Sequence, residues 1–125
     1  MSWADKFNFL NGIVILRLIC GLFFVPHLYA KFFVPEALGF FVAAGFKPPA
    51  FYMYLACAIE TVLAIGLIFD IYTPYVAAVA AIHLCVAGAA VYKVTNKWLW
   101  NIGGFEYCLF WALSCVALAL MTWPK

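Results

Sequence analysis

The sequence predicts an all-α fold: a four-transmembrane-helix bundle with a short interfacial or re-entrant helix between spans one and two, and both termini on the same side of the membrane. Three observations predict it. Of 125 residues, 70% are hydrophobic and only 10% charged, where a soluble domain is nearer half apolar and a quarter charged, so lipid must cover much of the surface. Four apolar runs approach the roughly 20 residues that carry a helix across a ~30 Å hydrocarbon layer. Tryptophan and tyrosine, whose rings have an apolar body and a polar edge, gather where those runs end. The length allows one domain, residues 1–125.

Met1 to Asn11 sets Trp3, Phe7 and Phe9 among Asp5, Lys6 and Asn8, an interfacial lead-in. Gly12–Phe33, GIVILRLICGLFFVPHLYAKFF, is the first span. Pro26 inside it removes one backbone hydrogen bond and frees the Leu22 carbonyl, which predicts a bend next to His27. Pro35–Phe46 is apolar but too short to cross. Pro and Glu suit its first turn and Gly45 its end, with Lys47-Pro48-Pro49 closing it. Ala50–Phe69 is the second span, with Glu60 at its middle, and Asp70 to Pro74 is a tight polar turn. Pro74–Tyr92 is the third span, with His83 near its centre. Lys93 to Gly104 is a polar, Trp-bearing loop, and Phe105–Trp123 is the fourth span, with Glu106 in its first turn. On this layout Tyr29, Tyr52, Tyr54, Tyr92, Trp98, Trp100 and Tyr107 fall near one face, Trp3, Tyr72, Tyr75 and Trp123 near the other, and Trp111 lies in mid-span.

The formal net charge is +2, and the seven basic residues are scattered, which argues against a surface that tracks nucleic-acid phosphates. Cys20, Cys57, Cys85, Cys108 and Cys115 all lie in apolar spans, form no CxxC pair and are odd in number, so they read as small buried hydrophobes. His27 and His83 differ in depth by about 10 Å, which argues against one haem iron held between them. No Glu-x-x-His pair points to another metal. No nucleophile–base pair, Walker loop or dinucleotide fingerprint is present, so no residue is assigned a catalytic role and the chain is not expected to be an enzyme on its own.

A charge at the centre of a membrane helix costs about 2.5–3.5 kcal/mol on insertion scales, so ionisable residues inside the spans should face protein or a cavity. Arg17 lies roughly 8–9 Å in from the side of the termini, and Glu60 and His83 roughly 15 Å from either side. The long Arg17 side chain is expected to reach Glu60, giving a midplane cluster of Arg17, Glu60 and His83. A second cluster is expected near the other face. There His27 and Lys31 lie one turn apart, Glu106 has a similar depth, and Asn96, Trp98, Trp100 and Asn101 sit on the loop above. On a wheel of ~100° per residue, Arg17, Gly21, His27 and Lys31 share an arc of about 120°, one polar seam.

Each cluster has two readings. Arg17 and Glu60 either fix helix register as an internal ion pair or line a ligand or proton site. His83 is either a hydrogen-bonded core histidine or a proton carrier. His27, Lys31 and Glu106 either snorkel to the interface or form the mouth of a site. Ala77, Ala78, Ala81 and Gly88 offer small-residue packing surfaces, either for a homo-oligomer or within one chain.

The pattern resembles the DoxX family, small four-span membrane proteins of bacteria and archaea. The matching marks are LRLICGLFFVPHLYAKF, with Arg17, Gly21, His27 and Lys31; IETVLAIGLIFDIYTP, with Glu60, Gly66, Thr73 and Pro74; and GGFE, with Gly104 and Glu106. Many relatives carry a basic residue where this chain has Pro74. The resemblance implies a protein of the cytoplasmic (inner) membrane that works with other membrane or peripheral redox proteins. Members are similar to the small membrane subunit of a thiosulfate:quinone oxidoreductase, and others act in thiol and oxidative-stress defence. Relatives in the wider superfamily assist maturation of secreted redox enzymes or bind lipids and sterols.

The leading expectation is a membrane subunit of a respiratory or thiol-redox, quinone-linked complex. In it Arg17, Glu60 and His83 contact a quinone head group or protons, and His27, Lys31 and Glu106 form the mouth. Quinone is then the expected ligand, held without a covalent bond. The rival expectation is a non-catalytic lipid-binding or assembly protein whose charges only hold the helices together.

Overall fold

In the computed structural model, which describes residues 3–99 and 103–124, every regular element among the described residues is an α-helix. The expectations for Trp100, Asn101 and the Trp3 side chain lie outside what is described. A single turn, α1 (Trp3–Lys6), leads to Asn11, whose side chain accepts from the Ile13 N–H at 2.9 Å and caps α2 (Gly12–Leu22). Such a cap satisfies one of the donors that a helix start leaves unpaired.

The first apolar run breaks at Phe23, and α3 (Phe24–Phe33) completes it. The expected bend is therefore present but falls three residues before Pro26. Proline tolerates a helix's first turn, where no N–H is needed, but its ring collides with the carbonyl four residues back, here that of Leu22. The chain resolves this by ending one helix at Leu22 and starting the next with Pro26 inside its opening turn.

A short helix, α4 (Glu36–Ala43), follows, then α5 (Pro49–Ile68) and α6 (Thr73–Thr95). Between the last two, Asp70 and Tyr72 both take left-handed backbone conformations (φ +57° and +51°), which non-glycine residues rarely adopt. Thr73 Oγ1 donates to the Asp70 carboxylate and steadies this turn. The last helix is α7 (Glu106–Thr122).

Three apolar stretches are long enough to cross a membrane: Gly12–Phe33, Pro49–Ile68 and Thr73–Thr95, with mean hydropathies of 2.0, 1.9 and 1.9. The fourth, α7, has 17 residues. The helices close a ring, since α2 packs on α5 and α7, and α6 packs on α5 and most extensively on α7. Their shared core is built largely from small residues: Cys20, Ala64, Ala77, Ala80, Ala81, Ala112 and Cys115. Ala77, Ala81 and Gly88 are thus consumed in packing within the chain. Outward positions carry large apolar groups, with Val62 67%, Ile82 66% and Phe110 74% exposed. A bundle that hides small residues and displays large ones suits a lipid solvent, where helices associate by close approach. All five cysteines are free thiols, and four are buried. Cys85 is exposed, which corrects the expectation for that residue.

The hydroxyls follow the same logic. Thr61, Thr95, Ser114 and Thr122 each donate to the carbonyl four residues back in their own helix at 2.7–2.9 Å. Each polar group is thereby satisfied without a partner from another helix.

Candidate functional site

Glu60 lies midway along α5 on the buried stripe that also carries Cys57, Leu63, Ala64 and Leu67, and it is only 5% exposed. A carboxylate there must be answered locally, because unpaired burial of a charge is strongly unfavourable. Two groups answer it. Lys31 Nζ donates to Oε1 at 2.9 Å, and His83 Nε2 lies 2.8 Å from Oε2. An ionised carboxylate only accepts, so the His83 Nε2–H is the donor and Nδ1 is the ring's remaining polar atom. The ammonium keeps two further N–H donors. One carboxylate is thus held between two cationisable groups from different helices.

This triad lines a cavity of about 350 Å³. The walls are mostly apolar and aromatic: Phe24 from α3, Phe40 and Phe41 from α4, Phe46, Tyr52 from α5, and Trp111 from α7. The Phe24 and Trp111 rings meet at 4.4 Å between centroids, and the Trp111 indole N–H donates to the Cys20 carbonyl at 3.1 Å, beside the α2–α3 break. An apolar chamber with a few convergent polar groups is the usual form of a small-molecule site.

Arg17 stands apart from this triad. Its Nη2 donates to the Lys6 carbonyl, its Nη1 lies 3.6 Å from Asp70 Oδ2, and the Phe7 ring sits 5.8 Å from its guanidinium carbon. The expected Arg17–Glu60 pair is therefore replaced by Arg17–Asp70. The physical reason is register: Gly21 lies against Leu67 and Ile68, so Arg17, one turn earlier in α2, is level with the α5–α6 turn. Glu60 lies eight residues before the end of α5, roughly 12 Å at ~1.5 Å per residue, whereas Asp70 sits in the turn just past that end. A long basic side chain runs towards the nearer interface and takes the carboxylate it finds there. The Arg17 side chain is 3% exposed, and its Nε has no hydrogen-bond partner among the described residues.

The expected second cluster separates as well. Lys31 joins Glu60. His27 stacks on Tyr107 at 5.9 Å with 10° between the rings, and its centroid lies 5.3 Å from that of Trp111. Glu106 lines a separate outer recess with Ile19, Phe23, Phe110 and Ser114, and its backbone N–H donates to the Trp98 carbonyl at 3.0 Å. His27, Tyr107 and Trp111 border both the inner cavity and this recess.

Sequence reasoning missed Asp70 and the α4 aromatics. The one sequence signal for Asp70 was Thr73, three residues on and able to orient its carboxylate, since counted depth put Glu60, roughly 6 Å deeper than Arg17, nearer than Asp70 at the interface. The role of Phe40 and Phe41 had no comparable signal, since an apolar helix too short to cross gives no hint of what it covers. Among the described residues no group of three or more His, Cys, Asp or Glu side chains is placed to hold a metal ion.

A family model described as DoxX matches residues 12–93, from the start of α2 to the last turns of α6. Arg17, His27, Lys31, Glu60 and His83 fall inside that match, and Gly104 and Glu106 lie beyond it. No curated protein and no solved structure matches the chain.

Proposed function

The chain belongs to the DoxX family, and from that premise we propose that this integral membrane protein is a subunit of a respiratory or thiol-redox complex that binds a quinone head group at Lys31, Glu60 and His83. The observation that carries this reading is a buried carboxylate, bracketed by an ammonium at 2.9 Å and an imidazole at 2.8 Å, on the wall of an aromatic cavity of about 350 Å³. The residues fit such a ring. Lys31 offers spare N–H donors to one carbonyl oxygen, His83 lies near enough to exchange a proton with the same chamber, and Phe24 and Trp111 supply flat apolar walls. Glu60 holds both side chains in place. A bound quinone would supply two-electron, two-proton chemistry, and its electrons would come from a partner redox protein, so the chain is not an enzyme by itself.

In this reading the protein sits in a bacterial or archaeal inner membrane with both termini on one side, and α4 lies at the opposite interface. The role of Arg17 is structural. Its contacts bind the N-terminal segment to the α5–α6 turn, which is what the rival reading, an assembly or lipid-binding protein, would assign to every buried charge.

The test is purification from quinone-containing membranes, followed by mass spectrometry of the co-purifying quinone and electron-transfer assays with the complex. Glu60→Gln and His83→Ala are expected to lower both quinone content and electron transfer at least about tenfold, the loss of ~1.4 kcal/mol of binding. Unchanged values in both variants would sink the proposal and leave the assembly reading standing.

A further inference from the structure

The cavity that holds the triad reaches the outside of the bundle sideways. Near their shared turn α5 and α6 are tightly apposed, so that a Cβ on Gly66 would meet Val76 at 3.0 Å. Further from the turn the cavity lies between them, with Ala56 on one side and Ala87 and Ala90 on the other. The rim is formed by side chains that face outwards: Leu55 is 43% and Val86 60% exposed. Phe40 and Phe41 of α4 roof the space, and Lys93 of α6 ties that roof down by donating to the Ala44 carbonyl at 2.7 Å. One continuous space therefore runs from the buried carboxylate to side chains on the lipid-facing surface.

We propose that this gap is a lateral window through which a single-tailed amphiphile inserts its head group from the hydrocarbon layer, leaving its apolar tail between Leu55 and Val86. The inference rests on the quinone reading of the triad and adds the route and the place of the tail. The alanines at the seam leave room that any larger side chain would take. On the other side the rings of His27, Tyr107 and Trp111 stand between this cavity and the outer recess. Head-group chemistry is limited too. The Lys31 ammonium already offsets the Glu60 charge, so a cationic head group meets no uncompensated carboxylate, while a hydrogen-bond-accepting ring meets the spare Lys31 donors. Because lipid tails are as apolar as the groove, the tail gains little hydrophobic drive from the protein. The window selects by shape, and the triad holds the head.

The experiment measures binding of two probes to the full chain in lipid nanodiscs: a benzoquinone with a decyl tail and the same ring with a methyl group in its place. Ala87→Phe, which plugs the seam, is expected to weaken the decyl quinone about tenfold while leaving the methyl quinone within about twofold. Ala87→Val, a milder plug, should show the same selectivity in smaller measure, and Ser114→Phe in the outer recess should show none. Equal binding of the decyl quinone in wild type and Ala87→Phe, equal weakening of both probes in Ala87→Val, or tail selectivity appearing in Ser114→Phe would each overturn the window. Failure of the underlying reading has a different signature: neither probe would then respond to Glu60→Gln.

Discussion

Arg17 starts well inside the first apolar run and Lys31 near its far end, and the two run to different partners. Lys31 turns inward, where Glu60 accepts its proton donor at 2.9 Å, and Arg17 turns towards the α5–α6 turn, where Asp70 lies at 3.6 Å. Each cation takes a different carboxylate, so the chain has two separate polar centres. Removing one member of a buried pair strands the other, typically at a cost of about 3–5 kcal/mol. Residues in contact are coupled and distant ones are additive. A double-mutant cycle on Lys31→Met and Glu60→Gln, read by reversible unfolding in bicelles, should therefore give a coupling energy of about 0.5–3 kcal/mol. The cycle on Arg17→Met and Glu60→Gln should add to within about 0.5 kcal/mol. Coupling in the second cycle and none in the first would reverse the assignment of partners.

At the scale of elements, the break between α2 and α3 and the approach of α2 to α5 place Lys31. A Cβ on Gly21 would sit 2.9 Å from Leu67 Cβ and 3.2 Å from the Ile68 backbone nitrogen. Neither can yield without moving α5, so Gly21→Val is expected to cost about 1–3 kcal/mol, as overpacking of a filled interface does. The stability of that variant in bicelles checks it, and a change below the error of the measurement would mean that α2 and α5 are not so close. Lys93 of α6 ties down the α4 roof by its hydrogen bond to the Ala44 carbonyl. Lys93→Met should speed amide exchange across residues 36–46 and leave α5 and α6 protected, since local opening follows the contacts that hold a segment.

For the whole molecule, the reading that both termini share one side of the membrane is supported by contacts of the N-terminal segment and of the C-terminal end with residues flanking the α5–α6 turn. Lys6 Nζ donates to the Phe69 carbonyl at 3.3 Å, and Trp123 meets Tyr75 at 5.2 Å between centroids. With the native cysteines replaced, Asp5→Cys and Pro124→Cys should react with an impermeant thiol reagent from one side of the membrane and Lys97→Cys from the other. Labelling of Asp5→Cys and Pro124→Cys from opposite sides would refute the arrangement.

Much of this architecture was legible in the residues, because hydrocarbon thickness dictates how long an apolar run must be, and Asn11, Pro49 and Pro74 mark where such runs start. Depth was legible as well, and it placed His83 beside Glu60. What a one-dimensional count does not carry is azimuth and reach. Arg17 and Lys31 share a wheel arc on a straight helix, but the interruption at Phe23 turns the second half, and a side chain several ångströms long can run either way along the axis. The cavity was illegible for a related reason: its walls are ordinary Phe, Ala and Trp residues whose only distinction is that α4 folds back over them.

The most direct test compares two losses of charge in one assay. Wild type, Glu60→Gln and Arg17→Gln are brought to equal amounts of folded chain in nanodiscs and titrated with the methyl quinone. The account predicts that Glu60→Gln weakens binding about tenfold or more, while Arg17→Gln, whatever it does to stability, binds per folded chain within about twofold of wild type. Equal binding by all three, or weakening confined to Arg17→Gln, would contradict it.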